Sequence, residues 1–280
     1  MILTKEALEL DLPLTATRLK RFIKDYVQKT KAKGAVLNLS SGIDSSTAVA
    51  LTTLALGKDK VLALSLPEAE TRNPTDIKHT KILAEKFGFR LETIDMTKVL
   101  ETYYRSILEF DPEDKLSKGN IKARARMICL YYYANHQNRI VVGSSDKSET
   151  MMGYFTKWGD IAADISPLMD LYKTQVRQLA AHIGVPAEIV KKPPTPQLWP
   201  GQLAEDELGI KYETLDLVLL GFENFLTPEE IAEQVNLPAE LVVGIKTRWL
   251  SKEHKRRAPL TLKTEYRTIG TDFRLPYSAP

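Results

Sequence analysis

The chain is poor in the residues that mark several common classes of protein. Its 280 residues include one cysteine, Cys129, so an internal disulfide is excluded. Cys129 sits among apolar residues in a helical pattern and reads as a small core residue. His79, His136 and His182 show no ligand spacing that would join them to Cys129 in a metal cluster. Charge of one sign is also scarce: a formal net charge of +3 is too small for an electrostatic footprint on nucleic acid. No apolar run approaches the length of a membrane span. Residues 1–14 carry Lys5, Glu6, Glu9 and Asp11, unlike a signal peptide. No internal repeat and no low-complexity tract is present. The glycines form no GxGxxG, which excludes the dinucleotide fingerprint. No Gly-Lys-Ser/Thr follows a turn, which excludes a Walker A loop. With 43% hydrophobic and 27% charged residues, the composition is that of a globular, cytoplasmic protein.

What is present is concentrated first in residues 35–46, AVLNLSSGIDSS. A strand-like apolar run enters a turn of hydroxyls, one glycine and one carboxylate, and small residues with a helical look follow. Strand, polar turn and helix together bind phosphate, because the turn's N–H groups and the helix N-terminus face the anion. Ser40, Ser45 and Ser46 add hydroxyl donors, and Asp44 can hold a divalent cation beside the phosphates. The alternative reading is an ordinary strand–turn–helix with a serine-rich turn.

Along the chain, Leu19, Phe22, Ile23 and Tyr26 predict an amphipathic helix over 15–33, closed by Gly34. Strands are expected at 35–38, 61–66, 91–94 and 139–143. Helices are expected after the Ser40 turn, from Thr75 to Gly88, around 96–107, and over 120–136. Strands alternating with helices at this spacing predict an α/β fold: a doubly wound, mostly parallel sheet with helices on both faces. A short extended segment is expected at 161–167 and a helix at 171–183. Residues 191–202, KKPPTPQLWPGQ, carry four of the 15 prolines and predict an ordered surface loop. The C-terminal part is helical. Thr227, Pro228 and Glu230 form a cap, a first-turn proline and a capping-box acid, and a further helix runs over 238–250. The division expected is a nucleotide-binding core over 35–200, a helical extension over 201–258 and an irregular tail over 259–280.

Ligands in such folds bind beyond the carboxyl ends of the strands. The segment after the fourth strand, GSSDKSETMMGYFTKWGDIAADISPLMDLYKTQVRQLA, meets the Ser40 turn at that edge. Glu149 can give a second carboxylate to the cation on Asp44. Lys157 and Lys173 offer point charges for phosphate or carboxylate.

The turn resembles the SGGxDS pyrophosphate loop of the N-type ATP pyrophosphatases, with Ser41 in place of the first glycine. On that reading, either the position has φ below zero and room for a Cβ and the loop works, or activity is compromised there. The chain as a whole resembles the ammonia-dependent NAD⁺ synthetases. The likeness runs in order through LSSGIDSS, NIKARARMICLYYYAN, VVGSSDKSE, GYFTKWGD, DLYKTQVR, KPPTPQLWPGQ, EDELGI and EHKRR, across roughly residues 35–258. The resemblance implies an adenine-nucleotide alpha-hydrolase-like fold and amidation of deamido-NAD⁺ by ammonia with ATP, giving NAD⁺, AMP and pyrophosphate. It implies that Asn38, Leu39, Ser40, Ser41, Gly42, Ile43, Asp44 and Ser45 cradle the ATP phosphates, with Ser144, Lys173 and Thr195 as further ATP contacts. It also implies Mg²⁺ on Asp44 and Glu149. Arg124, Lys157, Asp164, His254 and Lys255 match the positions that hold deamido-NAD⁺. Asn120, one helical turn from Arg124, joins them by its shared helix face. Taken alone, His254 and Lys255 would read as a solvated basic tail. A homodimer is implied, with no nucleic-acid or membrane partner.

The chemistry matches these residue types. Attack of the nicotinate carboxylate on the α-phosphate of ATP gives an acyl-adenylate, and ammonia then displaces AMP. Lys173 would stabilise charge on the departing pyrophosphate. Ammonium must lose a proton first. Asp160 is either that base or a solvent-facing turn acid. Besides Ser41, the departures from the family pattern are Ser144 for threonine, Asp146 for asparagine, and Ile161 and Ala162 for a Gly-Gly pair. Glutamine-dependent members carry a long amidase domain; with the first strand near residue 35, none is expected ahead of it, and free ammonia is the expected donor. Two alternatives stand beside this reading: an ATP pyrophosphatase acting on another acyl acceptor, and a non-catalytic nucleotide-binding relative.

Overall fold

A computed structural model describes residues 2–268; the last part of the tail expected over 259–280 lies outside the described residues. Helix α1 spans Leu12–Lys29. Asp11 caps it, its Oδ1 accepting from the Leu14 N–H at 3.0 Å. The helix therefore begins and ends earlier than the sequence pattern indicates. Its inward face is Ala16, Ile23 and Val27, whereas Phe22 is exposed. Gly34 does not end the helix. It opens strand β1, Gly34–Asn38, where a Cβ would stand 2.1 Å from the Lys60 carbonyl oxygen. The glycine is needed for close approach of two backbones, not for a helix cap.

After β1 come α2 (Ile43–Leu56), β2 (Val61–Ser65), α3 (Pro74–Phe87), β3 (Arg90–Thr93), α4 (Thr97–Ser106), α5 (Lys115–Gln137) and β4 (Arg139–Val141). The sheet is wholly parallel, in the order β3-β2-β1-β4. The chain steps outward from β1 to β2 to β3, then returns through α4 and α5 to pair β4 on the opposite side of β1. The reversal of strand order falls between β1 and β4, the place where an open α/β sheet forms its crevice. The extended segment expected at 161–167 contributes a single bridge, Ile165 to Val142.

Alternation along the strands divides the interior. Ala35, Leu37, Val61 and Ala63 face a core shared with α1, α2 and Leu83 of α3. Val36, Leu62, Leu64 and Val141 face Met96, Leu100, Ala125, Leu130 and Ala134 on the other side. Helices thus cover both faces. Helix α2 is buried on nearly every side, from Ser45 through Thr53, which is why its sequence is small and apolar without a polar stripe. Cys129 is only half-buried, against the second of these cores.

The remaining helices are α6 (Lys147–Met152), α7 (Lys173–His182), α8 (Ala187–Val190), α9 (Ala204–Leu208), α10 (Tyr212–Glu223), α11 (Pro228–Val235), α12 (Ala239–Ser251) and α13 (Glu253–Arg256). Helix α7 carries Val176 and Leu179 into the first core. Helices α6 and α9–α12 enclose a third core with Met152, Tyr172, Tyr212, Leu215, Ile231 and Val242. The capping box opening α11 is formed in both directions: Glu230 N–H donates to Thr227 Oγ1 at 3.2 Å, and Thr227 N–H to Glu230 Oε2 at 2.7 Å. Residues 191–202 form no regular element. They are held by side chains, as described below.

Candidate functional site

Beyond β1 the backbone turns sharply. Ser41 is fully buried and has φ of 67°. The condition under which serine would fit, a negative φ, is therefore not met: the position keeps the left-handed backbone that favours glycine, and a serine occupies it. Gly42, by contrast, has φ of −69° and caps α2. Ser45 knits the turn together. Its Oγ donates to the Gly42 carbonyl at 3.1 Å and accepts from the Ser40 N–H at 3.2 Å, and the Ser40 and Ser45 hydroxyls stand 3.1 Å apart. The Ser46 hydroxyl is buried without a hydrogen-bond partner among the described residues.

Asp44 lies in the first turn of α2, where the helix dipole favours a carboxylate. Its Oδ2 is 2.6 Å from Lys173 Nζ. Lys173, the first residue of α7, is fully buried, and its ammonium also meets Asp146 Oδ2 at 2.7 Å and Glu149 Oε1 at 2.7 Å. The Tyr212 ring lies 5.1 Å from the same nitrogen, and its hydroxyl is 3.2 Å from Glu149 Oε1. Burial alone would lower the Lys173 pKa; the carboxylates of Asp146, Asp44 and Glu149 overcome it and raise the pKa well above the ordinary lysine value. Burial raises Asp146 well above the usual carboxylate range, against the pull of Lys173, and raises Glu149 in the same sense.

Asp44, Asp146 and Glu149 place ligand oxygens within 4.8 Å of one another. Asp44 Oδ1 is buried without a hydrogen-bond partner, and three carboxylates face one ammonium. An excess of negative charge and a free, buried oxygen donor fit a divalent cation. Asp146 was absent from the site read in the sequence. It is wholly buried and caps α6, accepting from the Glu149 N–H at 2.8 Å. Tyr212 was absent too, since it arrives from α10.

Ser148 and Asp216 fix Lys173 from behind. Its N–H donates to Ser148 Oγ at 2.9 Å; Ser148 Oγ donates to Asp216 Oδ1 at 2.5 Å; and the Thr174 N–H donates to Asp216 Oδ2 at 2.8 Å. Burial pushes the Asp216 carboxyl up to about 6.

The residues expected around the second substrate gather on segment 153–160. The Arg124 guanidinium donates to the Lys157 carbonyl at 3.2 Å, and Lys157 Nζ donates to the His254 carbonyl at 2.7 Å. Lys255 Nζ donates to the Gly153 carbonyl at 2.5 Å and lies 4.6 Å from the Phe155 ring. Asn120 Oδ1 accepts from the Thr156 hydroxyl at 2.7 Å, and Asp160 Oδ1 from the Thr156 N–H at 2.7 Å. Asp160 is an exposed residue, as the turn-acid alternative has it, yet the protein packed around its carboxyl raises the pKa, against the Thr156 N–H, Lys255 and Arg126. His254 is exposed and Lys255 half-buried, so only the latter is anchored through its side chain. Asp164 stands apart: its Oδ2 accepts from the Val141 N–H at 2.7 Å, at the end of β4. Ser144 is half-buried just beyond β4.

The proline-rich loop closes one side of a cleft lined by Asn38, Ser40, Asp76, Arg126, Pro196 and Gln197. Thr195 spends its hydroxyl within the loop, donating to the Gln202 carbonyl at 2.5 Å and accepting from the Gln197 N–H at 3.2 Å. Lys122, almost fully buried, ties the loop to α5. Its Nζ meets Glu68 at 2.9 Å, Glu70 at 2.7 Å and the Leu198 carbonyl at 2.8 Å. None of Lys122, Glu68 and Asp76 carries a local sequence signal.

Comparison with known proteins agrees with this geometry. The NAD synthase family profile matches residues 15–259. The NH(3)-dependent NAD(+) synthetase of Methanocaldococcus jannaschii is 47% identical over 248 residues, covering 87% of this chain and 94% of that protein. The enzyme of the same name from Hyperthermus butylicus is 45% identical over 259 residues, covering 92% and 93%. Among solved structures, NMN synthetase from Francisella tularensis superposes with a TM-score of 0.80 at 33% identity, covering 91% of this chain and 99% of that one. The NH3-dependent NAD synthetase of Campylobacter jejuni, in complex with nitrate, gives a TM-score of 0.77 at 27% identity, covering 91% and 100%. A match running from α1 to beyond α13, together with near-complete overlap with relatives more than 40% identical, places the chain in the NAD synthase family.

Proposed function

We propose that the protein amidates deamido-NAD⁺ with ammonia, using ATP, and releases NAD⁺, AMP and pyrophosphate. The observation that carries this reading is the meeting of Asp44, Asp146, Glu149 and Lys173 at the β1–β4 switch point, beside a turn built to present N–H groups. Asn38 to Ser45 would cradle the triphosphate, with Ser144 and Thr195 at its margins. Asp44 and Glu149, with Asp146 behind them, would hold Mg²⁺, which when bound supplies charge stabilisation for pyrophosphate as it departs. Lys173 adds positive charge at the same place and keeps the carboxylates assembled.

The nicotinate carboxylate oxygen attacks the α-phosphorus, the bond to the bridging oxygen of pyrophosphate breaks, and an acyl-adenylate forms. Ammonia attacks the acyl carbon, and the acyl C–O bond breaks to release AMP. Arg124, Lys157, His254, Lys255 and Asn120 are read as the deamido-NAD⁺ side, with Asp164 at its edge. Asp160, whose surroundings raise its proton affinity, is read as the group that takes a proton from ammonium.

We read residues 35–200 as the nucleotide core, 201–258 as the extension that brings Tyr212 and the Lys255 segment to it, and 259–280 as the tail. Among the described residues no helix is long and apolar enough to cross a membrane, in keeping with a cytoplasmic enzyme. Exposed Val99, Tyr103 and Ile107 follow one row of α4 and its end, and exposed Ile128 and Tyr132 a row of α5. These apolar rows support a homodimer.

The test is incubation with ATP, Mg²⁺, NH₄Cl and deamido-NAD⁺, following both products. NAD⁺ and AMP in equal amounts are expected. AMP release only with another acid, nicotinate mononucleotide among those tried, would assign a different acceptor. Nucleotide binding without turnover would make the chain a non-catalytic relative.

A further inference from the structure

The turn after β1 poses a physical problem that its own hydrogen bonds do not solve. Ser41 holds φ at 67°, where a Cβ is disfavoured, and it does so without solvent exposure. Its side chain has one partner of opposite polarity: Lys192 Nζ donates to Ser41 Oγ at 3.0 Å. Lys192 belongs to the proline-rich loop. The same ammonium pairs with Asp76, in the first turn of α3. The other oxygen of Asp76 accepts from Gln197 Nε2, farther along that loop. One buried carboxylate therefore pins the loop at two points, and the loop's lysine pins the turn.

We propose that Lys192 is a positioning residue of the nucleotide half-site: it holds Ser41, and with it the N–H groups of the phosphate turn, in the left-handed conformation while locking the proline-rich loop to that turn. The proposal rests on the nucleotide reading given above. Lys192 acts through Ser41 and does not touch the reacting atoms. A lysine that merely neutralised Asp76 would have no dependence on the residue at position 41. A lysine that holds a strained serine becomes dispensable once that residue is glycine, which adopts the conformation unaided.

The test measures Kd for α,β-methylene-ATP with Mg²⁺ by calorimetry, and KM for ATP against kcat, in five proteins: wild type, Lys192→Met, Ser41→Ala, Ser41→Gly and the Ser41→Gly/Lys192→Met double variant. Lys192→Met and Ser41→Ala are each expected to weaken analogue binding and raise the ATP KM about tenfold, as the loss of one charge-assisted hydrogen bond does. The kcat of Lys192→Met is expected to stay within about threefold. Measured against Ser41→Gly itself, Lys192→Met is expected to cost less than about twofold in the glycine background. Wild-type affinity in Lys192→Met overturns the proposal, as does an equal loss in the glycine background or no analogue binding by wild type. Should Lys192→Met fail to fold, wild-type affinity in Ser41→Ala overturns it equally. NAD⁺ formation by wild type is followed separately; analogue binding without NAD⁺ would overturn the reaction while leaving the positioning test intact.

Discussion

Lys173 Nζ stands 2.7 Å from Asp146 Oδ2, with both side chains wholly withdrawn from solvent. Burying an ion pair is expensive, and breaking one by deleting a partner leaves an uncompensated charge. Here the ammonium serves two further carboxylates, so deleting it strands three acids at once. Lys173→Met is expected to destabilise the fold by about 3–5 kcal/mol and to abolish NAD⁺ formation. Denaturant unfolding of wild type and variant checks the first outcome. A variant as stable as wild type would remove Lys173 as the organising charge.

The two carboxylates nearer the turn are predicted to matter for turnover rather than for folding. Asp44 and Glu149 retain partial solvent contact, and Asp44 Oδ1 has no partner within the protein. Asp44→Ala and Glu149→Ala are each expected to lower turnover by about a thousandfold or more, with the thermal midpoint within a few degrees of wild type. Near-normal rates in either would sink the metal assignment. Chelation by EDTA is expected to give the same loss, reversed by added Mg²⁺.

Asp146→Asn separates charge from geometry. The amide oxygen can still accept from the Glu149 N–H and cap α6, so the loop is expected to keep its shape. Removing a buried carboxylate lowers the negative charge that Lys173 and a cation must offset. Activity is expected within about tenfold of wild type, with a weaker affinity for Mg²⁺. Metal titration of turnover in both proteins is the measurement, and an unchanged Mg²⁺ requirement would exclude Asp146 from the charge balance of the site.

How far the sequence reached into this site follows from the range of the interactions involved. The turn at Ser40, Glu149 and Lys173 were legible because strand–turn–helix patterning is local and carries its own motif residues. The sheet order was not legible, yet it alone places β4 beside β1. Asp146 stands in the sequence only as a departure from the family's asparagine that adds a negative charge near the site, and only packing reveals it as the buried cap of α6. Tyr212 comes from a helix whose pattern announces an apolar face and nothing more. Gly34 has a plausible local role as a helix end, yet the distant Lys60 carbonyl governs it, and at Ser41 the sequence gives no sign of the Lys192 ammonium that meets its hydroxyl.

Asp216 supplies a prediction about pH with a definite sign. Burial raises its folded-state pKa to about 6 from the ordinary aspartate value of 3.8. A raised carboxyl pKa favours the protonated form in the folded state, so its contribution is full below the unfolded value and is lost as pH rises from about 4 to about 6. A shift of this size corresponds to about 3 kcal/mol. Asp216→Asn cannot titrate. Relative to the variant, wild type is therefore expected to lose most of this, about 2 kcal/mol, between pH 4 and pH 7. Paired unfolding curves at both pH values measure the difference, and parallel changes in the two proteins would show that Asp216 is ionised in the fold throughout. Because Asp216 binds the Ser148 hydroxyl and the Thr174 N–H at the start of α7, the same substitution is expected to displace Lys173. At pH 7 its kcat should fall more than its affinity for ATP; an unchanged kcat would show that the carboxylate cluster alone keeps Lys173 in place.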